Sequence, residues 1–92
     1  MSEEPLEVPI DGVLDLHTFR PQEIADLVNE YMRACREQGI FTVRIIHGKG
    51  IGTLRELVHA QLKKNSLVAD FHQANERSGG WGATIAHLKP HS

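Results

Sequence analysis

Residues 42–53 read TVRIIHGKGIGT. The first six, Thr42 to His47, are mostly β-branched or apolar and predict a strand. Gly48, Gly50 and Gly52 predict a tight turn, and Thr53 with Glu56 makes a T-x-x-E capping box that opens a helix. A strand that runs through a glycine turn into a helix is half of a parallel crossover unit. Upstream, Ile24, Leu27, Val28, Tyr31, Met32 and Cys35 recur at helical spacing. Pro21 suits the first position of that helix, and Gly39 its left-handed end. Val13 to His17, with the sequence VLDLH, is a short strand ahead of a turn at Thr18 to Arg20. Downstream, Leu54, Leu57, Val58 and Leu62 stripe the second helix. Lys63 and Lys64 suit its negative end, and Asn65 stops it. Leu67 to Gln73 and Ala83 to Leu88 read as two more strands, separated by a glycine-rich loop from Ala74 to Gly82.

The order is strand, helix, strand, helix, strand, strand. Two right-handed crossovers make the first three strands parallel and put both helices on one sheet face. The last strand returns antiparallel. The expected fold class is α/β: a βαβαββ two-layer sandwich with a four-stranded mixed sheet. Residues 1–12 read as an acidic extended leader, 13–89 as the single domain and 90–92 as a tail. This topology gathers His17, the loop from His47 to Gly52 and the loop from Ser78 to Gly82 at one edge. That edge holds the carboxyl ends of the parallel strands, where such sheets bind ligands.

With 92 residues, 40% apolar and 24% charged, the chain has room for one domain and no membrane helix. Its N-terminus lacks the basic-then-apolar start of a signal peptide, and its lone thiol fits a reducing cytoplasm, so a cytoplasmic protein is expected. Cys35 is the lone cysteine, and no Cys/His ligand spacing occurs, so no structural zinc is expected. The net charge is −2, unevenly spread. Residues 1–30 hold eight acids and one base, and residues 31–92 hold nine bases and four acids. The basic part can carry a phosphate-binding surface. On charge alone the favoured reading is that the acids are a solvating leader plus helix-start charges.

Three constellations carry chemistry. In Asp15-Leu16-His17, strand alternation puts the carboxylate and the imidazole on one face, about 6.6 Å apart along the strand. The carboxylate there can orient the ring and raise its basicity. In His47-Gly48-Lys49-Gly50-Ile51-Gly52-Thr53, glycine amides, a helix start and an ammonium suit a phosphate or carboxylate. The spacing is neither that of a P-loop nor that of a dinucleotide fingerprint. In Ser78-Gly79-Gly80-Trp81-Gly82, Trp81 either stacks on a base or packs on the leader. Leu14 and Leu16 face the helices, so Asp15 and His17 face away. His47 shares its face with apolar Val43 and Ile45, so the pattern puts His47 opposite His17.

The motifs Leu14-Asp15-Leu16-His17, His47-Gly48-Lys49-Gly50 with Gly52 and Leu54-Arg55, and Gly79-Gly80-Trp81-Gly82-Ala83-Thr84 lie in the order and spacing of one family. Over about residues 13–89 the chain resembles the Smr (small MutS-related) domain family, and a free-standing bacterial member is expected. The resemblance implies a sheet like that of the C-terminal domain of bacterial translation initiation factor three, with the fourth strand between the second and third. It also implies a nucleic-acid-binding domain with weak endonuclease activity, nicking DNA or cutting RNA. The alternative it leaves is a non-catalytic module for DNA, RNA or the ribosome. Many members have glycine after the first motif's histidine, where this chain has Thr18.

On that reading His17, oriented by Asp15, is a general acid or base, and His47 supplies a second proton-transfer group. Gly48, Lys49, Gly50, Gly52, Arg55, Gly80 and Trp81 form the phosphate and nucleic-acid contacts. RNA carries its own nucleophile in the 2′-OH and needs no metal. DNA lacks it and calls for Mg2+, with Asp15 as the first ligand.

Overall fold

The computed structural model describes residues 9–48, 52–74 and 82–90. Its elements are β1 (Val13–Asp15), a 3-10 turn (Pro21–Glu23), α1 (Ile24–Glu37), β2 (Thr42–Ile46), α2 (Thr53–Lys64), β3 (Val68–Gln73) and β4 (Ala83–Leu88). The sheet order is β1-β2-β4-β3. β1 and β2 are parallel, with Asp15 opposite Ile46, and β4 runs antiparallel to both β2 and β3. The α/β sandwich and the central place of β4 are both as expected.

The core is the apolar face of each element. Leu14 and Leu16, Val43 and Ile45, and Ala86 and Leu88 are buried against Ile24, Val28, Tyr31, Met32 and Cys35 of α1 and Val58 and Leu62 of α2. The i, i+2 spacing of the strand residues and the i, i+3, i+4 spacing of the helical ones put each set on one face. Tyr31 pins the chain entering β1. Its hydroxyl accepts from the Gly12 N–H at 3.1 Å and lies 3.1 Å from the carbonyls of both Pro9 and Val13. Burial pushes that hydroxyl up to about 12, so it stays a donor at any physiological pH.

Three local readings differ from the structure. β1 ends at Asp15, not His17, because the chain turns there and the Phe19 N–H bonds the Leu16 carbonyl at 3.0 Å. Pro21 opens a 3-10 turn ahead of α1, where the Glu23 carboxylate accepts the Arg20 N–H at 2.8 Å. Thr53 is not an N-cap. Gly52 occupies that position with φ +90°, and its carbonyl takes the first helical bond from Glu56 N–H at 2.9 Å. With Gly52 in the cap position, Thr53 is already the first helical residue and its side chain caps nothing, so the T-x-x-E box stays unformed. Gly39 behaves as expected: its φ is +82°, and the Ile40 N–H reaches back to the Cys35 carbonyl at 2.9 Å.

Candidate functional site

The ends of the strands meet as the topology requires. The Leu16 N–H donates to the Ile46 carbonyl at 2.9 Å, joining the exits of β1 and β2. The N–H groups of His47 and Gly48 both donate to the Gly82 carbonyl at 2.9 Å, joining the exit of β2 to the entry of β4. The Ala74 N–H donates to the Ala83 carbonyl at 3.0 Å, which brings in the end of β3. The described parts of all three sequence motifs therefore share one edge. Lys49, Gly50, Gly80 and Trp81 lie outside the described residues. Gly48 has φ +87°, a conformation that favours glycine in the turn leaving β2.

Asp15 and His17 make a local pair on this edge. Asp15 Oδ1 accepts from His17 Nδ1 at 2.9 Å and from the His17 N–H at 3.0 Å. The pair comes from a turn closing on its own carboxylate, not from alternation along a strand. Both side chains are open to solvent, His17 at 76% and Asp15 at 49%. The two bonds from His17 hold the Asp15 carboxyl below its usual range, so it is ionised at neutral pH. A carboxylate only accepts, so His17 carries its proton on Nδ1 and, when neutral, presents a bare Nε2.

His47 lies in different surroundings. It is 7% exposed, on the helix side of the sheet, where Val43 and Ile45 also point. Its Nδ1 lies 3.1 Å from the Gly48 carbonyl and its Nε2 lies 2.9 Å from Thr84 Oγ1. The same hydroxyl lies 2.8 Å from Nε2 of His59, on α2. The fold does not bring His47 and His17 together. The face conflict visible in the alternation pattern is real, and the end of β2 does not swing His47 across it. Burial, with Arg55 nearby, lowers the basicity of His47. Burial also lowers His59, helped by His47, Arg55 and Lys63.

Arg55 stands in the first turn of α2. A methyl group placed on Gly52 would lie 3.5 Å from its Nη2, so its guanidinium reaches back over Gly52. Sequence reading missed His59 and gave Thr84 no role. The signals were present but faint. Thr84 shares its strand face with Ala86 and Leu88 and so points inward, where a buried hydroxyl needs partners. His59 follows Arg55 by four residues, on the same helical row.

The Smr domain profile matches residues 14–89. The chain belongs to the Smr domain family. Among curated proteins, this Smr domain is 41% identical over 76 residues to endonuclease MutS2 of Lactiplantibacillus plantarum, covering 83% of this chain. It is 32% identical over 80 residues to endonuclease MutS2 of Thermomicrobium roseum, covering 87%. The chain spans 10% of the length of these relatives. Among solved structures it resembles the Smr domain of Thermus thermophilus MutS2, with TM-score 0.81 and 31% identity, covering 87% of this chain and all of that one. It also resembles YdaL, a stand-alone small MutS-related protein from Escherichia coli, with TM-score 0.80 and 26% identity, covering 88% of this chain and 66% of that one. Among the described residues, no helix of this Smr domain is long and apolar enough to cross a membrane. No group of three or more His, Cys, Asp or Glu is placed among them to hold a metal ion.

Proposed function

We propose that the edge formed by the exits of β1 and β2 and the entry of β4 binds nucleic acid and cleaves phosphodiester bonds weakly. The exposed Asp15–His17 pair carries this reading. It offers a solvent-facing imidazole with a fixed tautomer and an ionised partner, beside a glycine turn at a helix start. The matched relatives named endonuclease MutS2 support it. Gly48, Gly52 and Arg55, together with Lys49, Gly50, Gly80 and Trp81, supply the phosphate and base contacts of this reading.

On RNA, His17 Nε2 takes the proton of the 2′-OH, and the 2′-oxygen attacks phosphorus. The 5′-oxygen leaves and takes a proton from water, which leaves a cyclic phosphate and a 5′-hydroxyl. With His47 turned inward, the leaving group has solvent as its acid, which fits weak activity. DNA has no 2′-OH. An Mg2+ ion serving that substrate would sit on the Asp15 carboxylate and on substrate phosphate oxygens, since such ions commonly use one or two carboxylates plus phosphate.

The inward turn of His47 also favours a second reading, a binding module without catalysis, because it leaves His17 as the one exposed imidazole among the described residues of the three motifs, a sparse catalytic set. The deciding experiment compares wild type with His17→Ala in DNA-nicking and RNA-cleavage assays, each with and without Mg2+. Cleavage lost in the variant while salt-dependent binding persists supports the nuclease. Equal cleavage by both proteins removes His17 from the chemistry. Binding without cleavage by wild type selects the module.

A further inference from the structure

Thr84 is completely buried, and its one hydroxyl lies between two imidazole nitrogens, at 2.9 Å from His47 Nε2 and 2.8 Å from His59 Nε2. A hydroxyl has one proton, so it can donate to one of these rings and must accept from the other. The direction follows from the far side of His47. Its Nδ1 faces the Gly48 carbonyl at 3.1 Å, and a carbonyl only accepts, so Nδ1 carries the proton. In a neutral ring that leaves Nε2 bare, and Thr84 gives it the hydroxyl proton. Thr84 must then accept from His59, whose Nε2 carries the hydrogen. The chain reads His59 Nε2–H to Thr84 Oγ1–H to His47 Nε2, then His47 Nδ1–H to the Gly48 carbonyl. Reversing it would set a bare Nδ1 against a carbonyl lone pair. The His59 ring also packs against Phe71, with ring centroids 5.0 Å apart.

We propose that His59 is a positioning residue which, through Thr84, locks His47 in its Nδ1–H tautomer and so holds the Gly48 carbonyl, at the edge proposed above to receive a phosphate. The link to phosphate rests on the nucleic-acid reading above, and the lock on the tautomer does not. Without the His59 N–H, the Thr84 oxygen is free to accept from His47 Nε2–H. Neutral His47 then has two tautomers to choose from, and the Gly48 carbonyl loses its anchor. Strand parity with Val43 and Ile45 turns His47 inward, and the lock then fixes which ring nitrogen carries its proton.

The test is ring-nitrogen NMR of the full chain at pH 7.5, on wild type, His59→Phe and His59→Gln. Phenylalanine keeps a ring against Phe71 and removes the donor, whereas the glutamine amide can restore an N–H toward Thr84. Expected are an Nδ1–H His47 in wild type, an added Nε2–H population in His59→Phe, and recovery in His59→Gln. Binding of a single-stranded RNA oligonucleotide should weaken about two- to tenfold in His59→Phe, the range of one ordinary hydrogen bond, and recover in His59→Gln. A wild-type His47 in the Nε2–H form, or a tautomer unmoved in His59→Phe, overturns the lock. A shifted tautomer with unchanged RNA affinity overturns the positioning role. If wild type binds no nucleic acid, the proposed function falls and the tautomers alone decide the lock.

Discussion

The Asp15–His17 pair and the His47–Thr84–His59 trio are built from similar side chains at the same end of one sheet, yet they are opposite kinds of site. The pair spans three consecutive residues, faces water and has one ring nitrogen uncommitted. The trio draws on the end of β2, the middle of α2 and the start of β4, is largely buried, and engages both nitrogens of His47. Solvent access decides what each can do. An exposed imidazole can exchange protons with a substrate, whereas a buried and saturated one can only hold other atoms in place. A glycine motif that contains a histidine therefore need not contain a second catalytic base.

The largest expected effect lies on the exposed side. His17→Ala should lower RNA or DNA cleavage by about 10²- to 10⁴-fold, the usual range for a general acid or base. Its stability should stay within about 0.5 kcal/mol of wild type, because an open surface position seldom contributes more. Cleavage rates with urea melts on the same preparation check both. A variant that loses stability instead of activity would make the pair structural and erase the contrast.

Thr84→Val should do the reverse. Valine matches threonine in shape but offers no hydrogen bond, so two imidazole nitrogens lose their shared partner. The expected cost is about 1–3 kcal/mol, the penalty of leaving buried polar groups unpaired. In a domain of this size that is a fall of about 4–8 °C in Tm per kcal/mol, measured by thermal melts. Thr84→Ser should keep most of the stability. Equal melts for valine and threonine would mean that the trio is not holding the edge.

How legible each site was in the sequence follows from the same difference. Asp15 and His17 are neighbours, so their meeting needed no tertiary knowledge, although a turn and not a strand brings them together. The inward face of His47 was legible as well, because Val43 and Ile45 share its strand parity. His59 was not, because its partner Thr84 is 25 residues away and only the packing of α2 on β4 joins them. The crossovers expressed the parallel start of the sheet through helix spacing, while the place of β4 came from family resemblance, since pairing order leaves little trace in periodicity. The misread T-x-x-E box has a local cause: Gly52 takes the cap position one residue earlier.

Acid titration should separate the two regions by window. His47 and His59 titrate below their ordinary value in the folded chain. The unfolded chain therefore binds more protons near pH 6, and the stability they contribute is complete above about 6.5 and lost as the pH falls through the lowered folded values. Asp15 is also lowered, so its contribution is present above about 3.9 and is lost only in stronger acid. Stability of wild type should fall between pH 7 and pH 5. His59→Phe should flatten that limb, and Asp15→Asn should flatten only the limb below about pH 4. Urea midpoints across the range read both slopes. An unflattened upper limb in His59→Phe would place the titrating group elsewhere.

The smallest effect, and the one that bridges both regions, belongs to Arg55. Its guanidinium reaches back over Gly52, and its charge helps to lower both His47 and His59. Arg55→Gln keeps the length of the side chain and removes the charge. If Arg55 meets a phosphate, the slope of log affinity against log salt should shrink by about 0.7 on single strands or 0.9 on duplex DNA, one contact's worth of released counterion. The same substitution removes a positive neighbour from both rings, so each should accept a proton more readily and their NMR titrations should move toward higher pH. These readouts are independent. A moved titration with an unchanged salt slope would make Arg55 part of the buried trio's surroundings alone. A changed slope with unmoved titrations would assign it to the ligand alone. Movement of both means that one side chain meets the bound phosphate and acts through its charge on both rings, so nucleic acid seated on the edge should itself raise the proton affinity of the trio.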